Sequence, residues 1–106
     1  MNIKDLHSKA MELADMADLE KMRGNKSESV SLYEQSYSLE YEAAMSAHEN
    51  KAGEPAVSVL LRSAASLAMI CKKYREAEKL IALALSGEPP QEIADELRNL
   101  MDNIEK

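Results

Sequence analysis

The helix breakers of this chain are grouped. Its three glycines and three prolines fall at only three places: Gly24, then Gly53 with Pro55, then Gly87 with Pro89 and Pro90. Glycine and proline punctuate local structure most strongly, so the chain is cut into long stretches without an interior break. Each stretch is far longer than a strand of about 3–10 residues, and three break points are too few for the turns of a β fold. The apolar residues agree. There is no Trp and no Phe, and the aromatics are four Tyr. Ala, Leu and Met carry the remainder, all strong helix formers. Val and Ile favour pleated surfaces, and they are confined to Ile3, Val30, Val57, Val59, Ile70, Ile81, Ile93 and Ile104. The chain reads as all-α and, at 106 residues, as a single domain.

Apolar spacing then marks five helices. The first spans about Ile3 to Arg23, where Ile3, Leu6, Ala10, Leu13 and Ala17 recur at three- and four-residue steps, and Gly24 closes it. The second opens on Asn25 as N-cap, with Glu28 as capping-box partner, and runs to about His48. Val30, Tyr33, Tyr37, Tyr41, Ala44 and Met45 share one stripe of it. Tyr33, Tyr37 and Tyr41 line up either as a core seam whose hydroxyls reach water or a neighbour, or as an aromatic strip for a partner. Gly53 closes this helix and Pro55 opens the third, from about Pro55 to Lys72. The run VSVLLRSAASLAMIC makes it the central buried helix, with a small polar face of Ser58, Arg62, Ser63 and Ser66. The fourth spans about Tyr74 to Ser86, with Ala77, Leu80, Ile81, Ala84 and Leu85 on one face. The fifth, from about Pro90 to Ile104, sets Ile93, Leu97, Leu100, Met101 and Ile104 opposite a charged side, which suits a helix that covers one end of a stack. Short connections make neighbours antiparallel, so residues 3–48 and 55–86 form two hairpins and 90–104 a capping helix. A lone hairpin cannot bury both of its apolar faces, so the hairpins must stack.

The formal net charge is −6. An acidic chain repels phosphate backbones, which argues against a nucleic-acid partner. The charge is uneven: Arg62, Lys72, Lys73, Arg75 and Lys79 outnumber Glu76 and Glu78, whereas from Glu88 to Glu105 Arg98 stands alone among acids. These runs are solvated helix faces or, in a sharper reading, a basic patch for an acidic peptide. The single cysteine, Cys71, excludes an internal disulfide. It sits in an apolar run as a small hydrophobe, or as a thiol activated by Lys72 and Lys73. The start, MNIKDLHSKA, lacks the apolar core of a signal peptide. No apolar run approaches the roughly 20 residues that span a bilayer. The expectation is a cytoplasmic protein with no membrane partner.

The stretch LLRSAASLAMICKKYREAEKLIALALSGEPP resembles a tetratricopeptide repeat. Leu61 stands at that family's first large position, Ala64 and Ala65 at its apolar-small pair, and Ala68 where a Tyr is frequent. Tyr74 and Ala77 match the start of the second helix, Ile81 its bulky position, Ala84 its small one and Pro89 the terminal Pro. Ala65, Ala77 and Ala84 let two helix backbones approach closely while Leu61 and Ile81 fill the space beside them. Lys72 departs from the family, which prefers a small residue, usually Gly, at the turn. The N-terminal half is similar to the same unit if Gly24 takes the turn: Leu13, Met16 and Ala17 fall on the first-helix sites and Ser29, Tyr33 and Ser36 on the second. Gly24 and Lys72 stand 48 residues apart, against a family period of about 34, so the resemblance is to an irregular pair of units followed by a cap.

That family binds extended peptides or helices in the groove lined by the first helix of each pair. The resemblance therefore implies a partner site on Met11, Ala14, Asp18, Lys21 and Met22 of the first helix and Val59, Arg62, Ser66, Met69 and Ile70 of the third, several of which double as core. Met11, Asp18, Lys21, Met22, Arg62, Ser66 and Met69 are the strongest candidates. Arg62 is the most informative, as the one charge in a long apolar stretch and a residue type enriched at binding hot spots. Its other reading is a guanidinium that reaches water or pairs with a nearby acid. No catalytic constellation stands out. His7 and His48 are far apart and read as surface residues, and neither has the Glu-x-x-His spacing of a di-iron bundle. Cys71 with one His is not a zinc set, and there is no phosphate loop or nucleophile elbow. Glu40, Glu42 and Glu49 read as a charged helix face. The expectation is a protein-binding scaffold without cofactor, metal or enzymatic step, the alternative being a homo-oligomeric assembly or regulatory protein.

Overall fold

Asn2 accepts a hydrogen bond from the Asp5 backbone N–H at 2.8 Å, satisfying one of the orphan donors at a helix start. From that cap α1 (Ile3–Met22) runs for 20 residues. It is followed by α2 (Lys26–Glu49), α3 (Ala56–Ile70), α4 (Tyr74–Leu85) and α5 (Gln91–Glu105). The structure, a computed structural model, describes residues 1–105, and among these there is no strand. The boundaries lie within a few residues of those read from the breakers.

Sequence neighbours pack on one another, α1 on α2, α2 on α3 and α3 on α4, while α5 lies against both α3 and α4. The larger core cluster joins all five helices through Leu6, Ala43, Ala44, Ala47, Leu60, Leu61, Ala64, Ala65, Leu80, Ile81, Ala84 and Leu97. Leu61, Ile81 and Leu97 are wholly buried, each stabilising the fold by roughly 1.5–3 kcal/mol. Ala65, Ala77 and Ala84 are buried as well, the small side chains that the third and fourth helices need in order to approach. A second cluster gathers Leu13 and Ala17 of α1, Leu32 and Tyr33 of α2 and Leu67 of α3, with Cys71 packed beside it.

The two hairpin turns share one backbone conformation. Each opens with a right-handed C-cap, Arg23 at φ −80°, ψ −5° and Cys71 at φ −80°, ψ 2°. Each continues through a left-handed residue, Gly24 at φ 84° and Lys72 at φ 61°. Each ends on Asn25 at φ −89°, ψ 73° or Lys73 at φ −95°, ψ 66°. Their hydrogen bonds also correspond. Gly24 N–H reaches Lys21 O and Asn25 N–H reaches Glu20 O, just as Lys72 N–H reaches Met69 O and Lys73 N–H reaches Ala68 O. This is the paired closure that a left-handed C′ residue makes possible. A lysine in that conformation brings its Cβ close to the following carbonyl. Lys72→Gly should therefore raise stability by about 0.5–1 kcal/mol once the greater freedom of Gly in the unfolded chain is set against the relief. Thermal melts of the two proteins check this, the expected rise being about 2–6 °C.

Several local expectations are corrected. α2 is closed by Lys51 at φ 52°, with Ala52 N–H on Ala47 O, and Gly53 lies beyond that closure. The α2 N-cap makes no side-chain capping bond, so the capping box with Glu28 does not form. The Asn25 amide instead donates to Glu20 at 2.6 Å. Ser58 belongs to the buried side of α3. Its backbone N–H is capped by Glu54 at 2.9 Å and its hydroxyl donates to Pro55 O at 3.2 Å.

The hairpins differ in length. Cys71 packs against the cluster of Leu13, Ala17, Leu32, Tyr33 and Leu67, so the second turn comes level with that cluster, whose last α1 residue is Ala17. The first turn, at Gly24, lies seven residues further along α1, about 10 Å at 1.5 Å per residue. The tip of the first hairpin thus overhangs the second.

Candidate functional site

The seam between α1 and α2 carries the most unusual chemistry. Ala10 and Ala17 on α1, and Ser29, Ser36 and Ala43 on α2, recur every seven residues and are all buried. Small residues at that spacing bring two helices close, and the serine hydroxyls then meet main chain. Ser29 Oγ donates to Ala17 O at 2.9 Å and Ser36 Oγ to Ala10 O at 2.7 Å. Further along the seam Glu40 is wholly buried, and His7 donates through Nδ1 to its two carboxylate oxygens at 2.8 and 2.9 Å. Glu40 is thus not part of a charged face, and His7 is a half-buried partner. Among the described residues every buried side-chain nitrogen or oxygen has a hydrogen-bond partner. The seven-residue recurrence of Ser29, Ser36 and Ala43 is the signal in the sequence that marks this seam.

The tyrosine stripe grades from core to surface. Tyr33 is buried and Tyr41 exposed, and Val30 at its start is exposed as well. The Tyr37 and Tyr41 rings lie 5.9 Å apart, tilted by 48°. The Tyr33 hydroxyl donates to the Asp18 carboxylate. That bond, then burial, pushes the Tyr33 pKa up to about 12. Burial, then the charge of Glu76, pushes that of Tyr37 up to about 12. Raised phenol values mean that the folded state holds these protons more tightly than the unfolded chain does. Stability should be level below about pH 10 and fall as pH rises from there through 12. Urea midpoints followed across that range, with phenolate absorbance as a second signal, check it, and Tyr33→Phe should flatten the decline.

The residues that the sequence singles out for a partner fall on two stripes. Along α1, Met11 is half-buried while Asp18, Lys21 and Met22 are exposed. Along α3, Arg62, Ser66 and Met69 are half-buried. Leu13 and Ala17 of α1 and Leu67 of α3 belong to one core cluster with Leu32 and Tyr33 of α2, and α2 packs on both of those helices. Two of the candidates already have partners within the chain. Asp18 holds the Tyr33 hydroxyl, and Arg62 Nη1 lies 3.0 Å from Glu96 on α5. The second reading of Arg62, as the partner of a nearby acid, is therefore the observed one. Cys71 is half-buried, and burial, then Glu34, pushes its thiol pKa up against the pull of Lys73. That opposes an activated thiolate.

Beside the first turn, between the end of α1 and the start of α2, an open cleft of about 650 Å³ is lined by Met16, Leu19, Glu20, Arg23, Glu28 and Leu32, among others. Met16 and Leu19 are each nearly half exposed. The resemblance puts Met16 at a first-helix repeat site beside Ala17, and the structure turns it outward. Among the described residues no three His, Cys, Asp or Glu side chains converge as a metal site requires, and no helix is long and apolar enough to cross a membrane. The chain matches no protein-family model, no curated protein and no solved structure.

Proposed function

We propose that the chain is a protein-interaction module, a two-unit scaffold of tetratricopeptide-like hairpins closed by α5, which holds an extended or helical segment of another protein along α1 and α3. The observation that carries this reading is the repeated hairpin. Two turns of the same conformation close the hairpin of α1 with α2 and that of α3 with α4, and the candidate residues on α1 and α3 mix Met with Arg, Asp and Lys. Such a mixture suits a partner better than a sealed core or bare solvent. The Arg62–Glu96 pair adds support, because it joins residues 34 apart, the period of that repeat. The reading gives the chain no catalytic step, no cofactor and no nucleic-acid partner, and puts it in the cytoplasm, where its thiol stays reduced.

The test uses capture from the source cell with two variants. Arg62→Glu alone would set two carboxylates together and disturb α5. The pair Arg62→Glu with Glu96→Arg keeps the ion pair while reversing the charge on α3. A partner retained by the native chain and lost by the swapped pair, with hydrogen-exchange protection on α1 and α3 in the complex, is the expected result. A partner held equally by both, or protection elsewhere, would remove the groove from consideration.

A further inference from the structure

The two ends of the helical stack are finished differently. α5 closes one end with Leu97 turned inward and Glu92, Asp95, Glu96 and Arg98 exposed, the polar outer face that a terminal unit requires. The opposite end, α1 with the start of α2, exposes Met16 at 45% and Leu19 at 46% beside the open cleft. On α1 these two belong to the stripe Glu12, Met16, Leu19, Arg23, spaced four, three and four. That is the spacing of a helix–helix seam. Around the helix it stands about a third of a turn from Met11, Asp18 and Met22.

The stripe is also symmetric in charge. Glu12 stands as far before the midpoint of Met16 and Leu19 as Arg23 stands after it. Two such helices crossing antiparallel about a two-fold axis would set Met16 of each against Leu19 of the other, and Glu12 against Arg23 at both ends. A two-fold interface must be self-complementary in this way. Within one chain Glu12 has Lys9 at 3.7 Å and Arg23 has Glu20 at 2.9 Å. Exposed pairs of this kind are worth about 0–1 kcal/mol, so exchanging them for contacts between copies costs little. Glu20 keeps the hydrogen bond from the Asn25 amide.

We propose that this uncapped end is closed by a second copy of the chain, in a two-fold dimer whose seam is the Glu12–Met16–Leu19–Arg23 stripe of α1. The dimer seam uses a stripe of α1 that contains none of the candidate residues Met11, Asp18, Lys21 and Met22. One seam of this length is smaller than the interface of a permanent complex, so dimerisation depends on concentration.

Sedimentation equilibrium of the full chain tests the proposal. Mass should rise from one chain toward two with concentration. Leu19→Glu, at an exposed position that does not endanger the fold, should stay monomeric. Arg23→Glu should weaken the dimer by about tenfold or more, since it sets like charges opposite each other at both ends of the seam. Glu12→Arg combined with Arg23→Glu should restore it. A chain that stays monomeric up to about 1 mM, a dimer that Leu19→Glu leaves intact, or a charge swap that fails to rescue Arg23→Glu would each overturn the proposal. Partner capture is read separately: Leu19→Glu leaves the groove intact, and the Arg62 and Glu96 swap leaves the seam intact, so failure of one reading is distinguishable from failure of the other.

Discussion

A chain ended at Gly87 should lose its cooperative melt. α5 buries Leu97 completely and Ala94 nearly so, and it packs Ile93, Leu100, Met101 and Ile104 against the larger cluster. Burial of that set contributes roughly 5–10 kcal/mol. The whole domain has about 5–15 kcal/mol of net stability, so removing α5 consumes most of it. The Arg62–Glu96 pair, which also goes, adds little because Glu96 is half exposed. Circular dichroism on heating is the measurement. The truncated chain should keep part of its helical signal and melt gradually, whereas a sharp transition near that of the intact chain would mean that α1 to α4 suffice.

His7→Leu should be the most damaging single substitution on the first hairpin. It leaves the wholly buried Glu40 carboxylate without the imidazole that meets both of its oxygens. Stripping one partner from a buried pair costs about 3–5 kcal/mol. Glu40→Leu should cost less, because the histidine that it strands keeps a 39% exposed side chain and can turn to water. Replacing both by Leu should recover most of the loss, as an apolar pair of similar volume often serves as well as a buried ionic one. Urea unfolding of the three variants against the native chain gives the cycle. Equal losses for the two single changes, or a double variant as weak as His7→Leu alone, would show that burial of Glu40 is not the cause.

The helices were legible because their signals are local. Gly24, Gly87 and the Pro89-Pro90 pair end them, and Leu61, Ile81 and Leu97 recur at helical steps and prove wholly buried. The errors come from distance. Glu40 looks like its neighbours Glu42 and Glu49 until His7, 33 residues away, is brought against it. The same holds for Arg62, whose acid lies on α5. Lys51 and Lys72 carry no mark of a left-handed backbone, since lysine has no preference for that region and is held there by the helix-closing hydrogen bonds around it. Ser29 and Ser36 were visible at seven-residue spacing, but a serine shows its role in a tight seam only when the carbonyl that takes its proton is known. Of the candidate site, the two stripes are what the family resemblance implies, while the engagement of Asp18 and Arg62 within the chain needed the structure.

The overhang of the first hairpin has a consequence for breathing. Beyond the level of Cys71, residues 18–28 of the tip are exposed apart from the half-buried Glu20, and α3 and α4 do not reach them. Opening the last turn of α1 and the first of α2 breaks few buried contacts, so it needs only a small part of the global unfolding free energy. Amide protons around Gly24 should exchange with solvent many times faster than those around Ala44 or Ala64, which global unfolding alone releases. The molecule thereby divides into a slow body and a fast tip, and Leu19 and Arg23 sit on the tip. Any contact made there is made by the part of the chain that rearranges first.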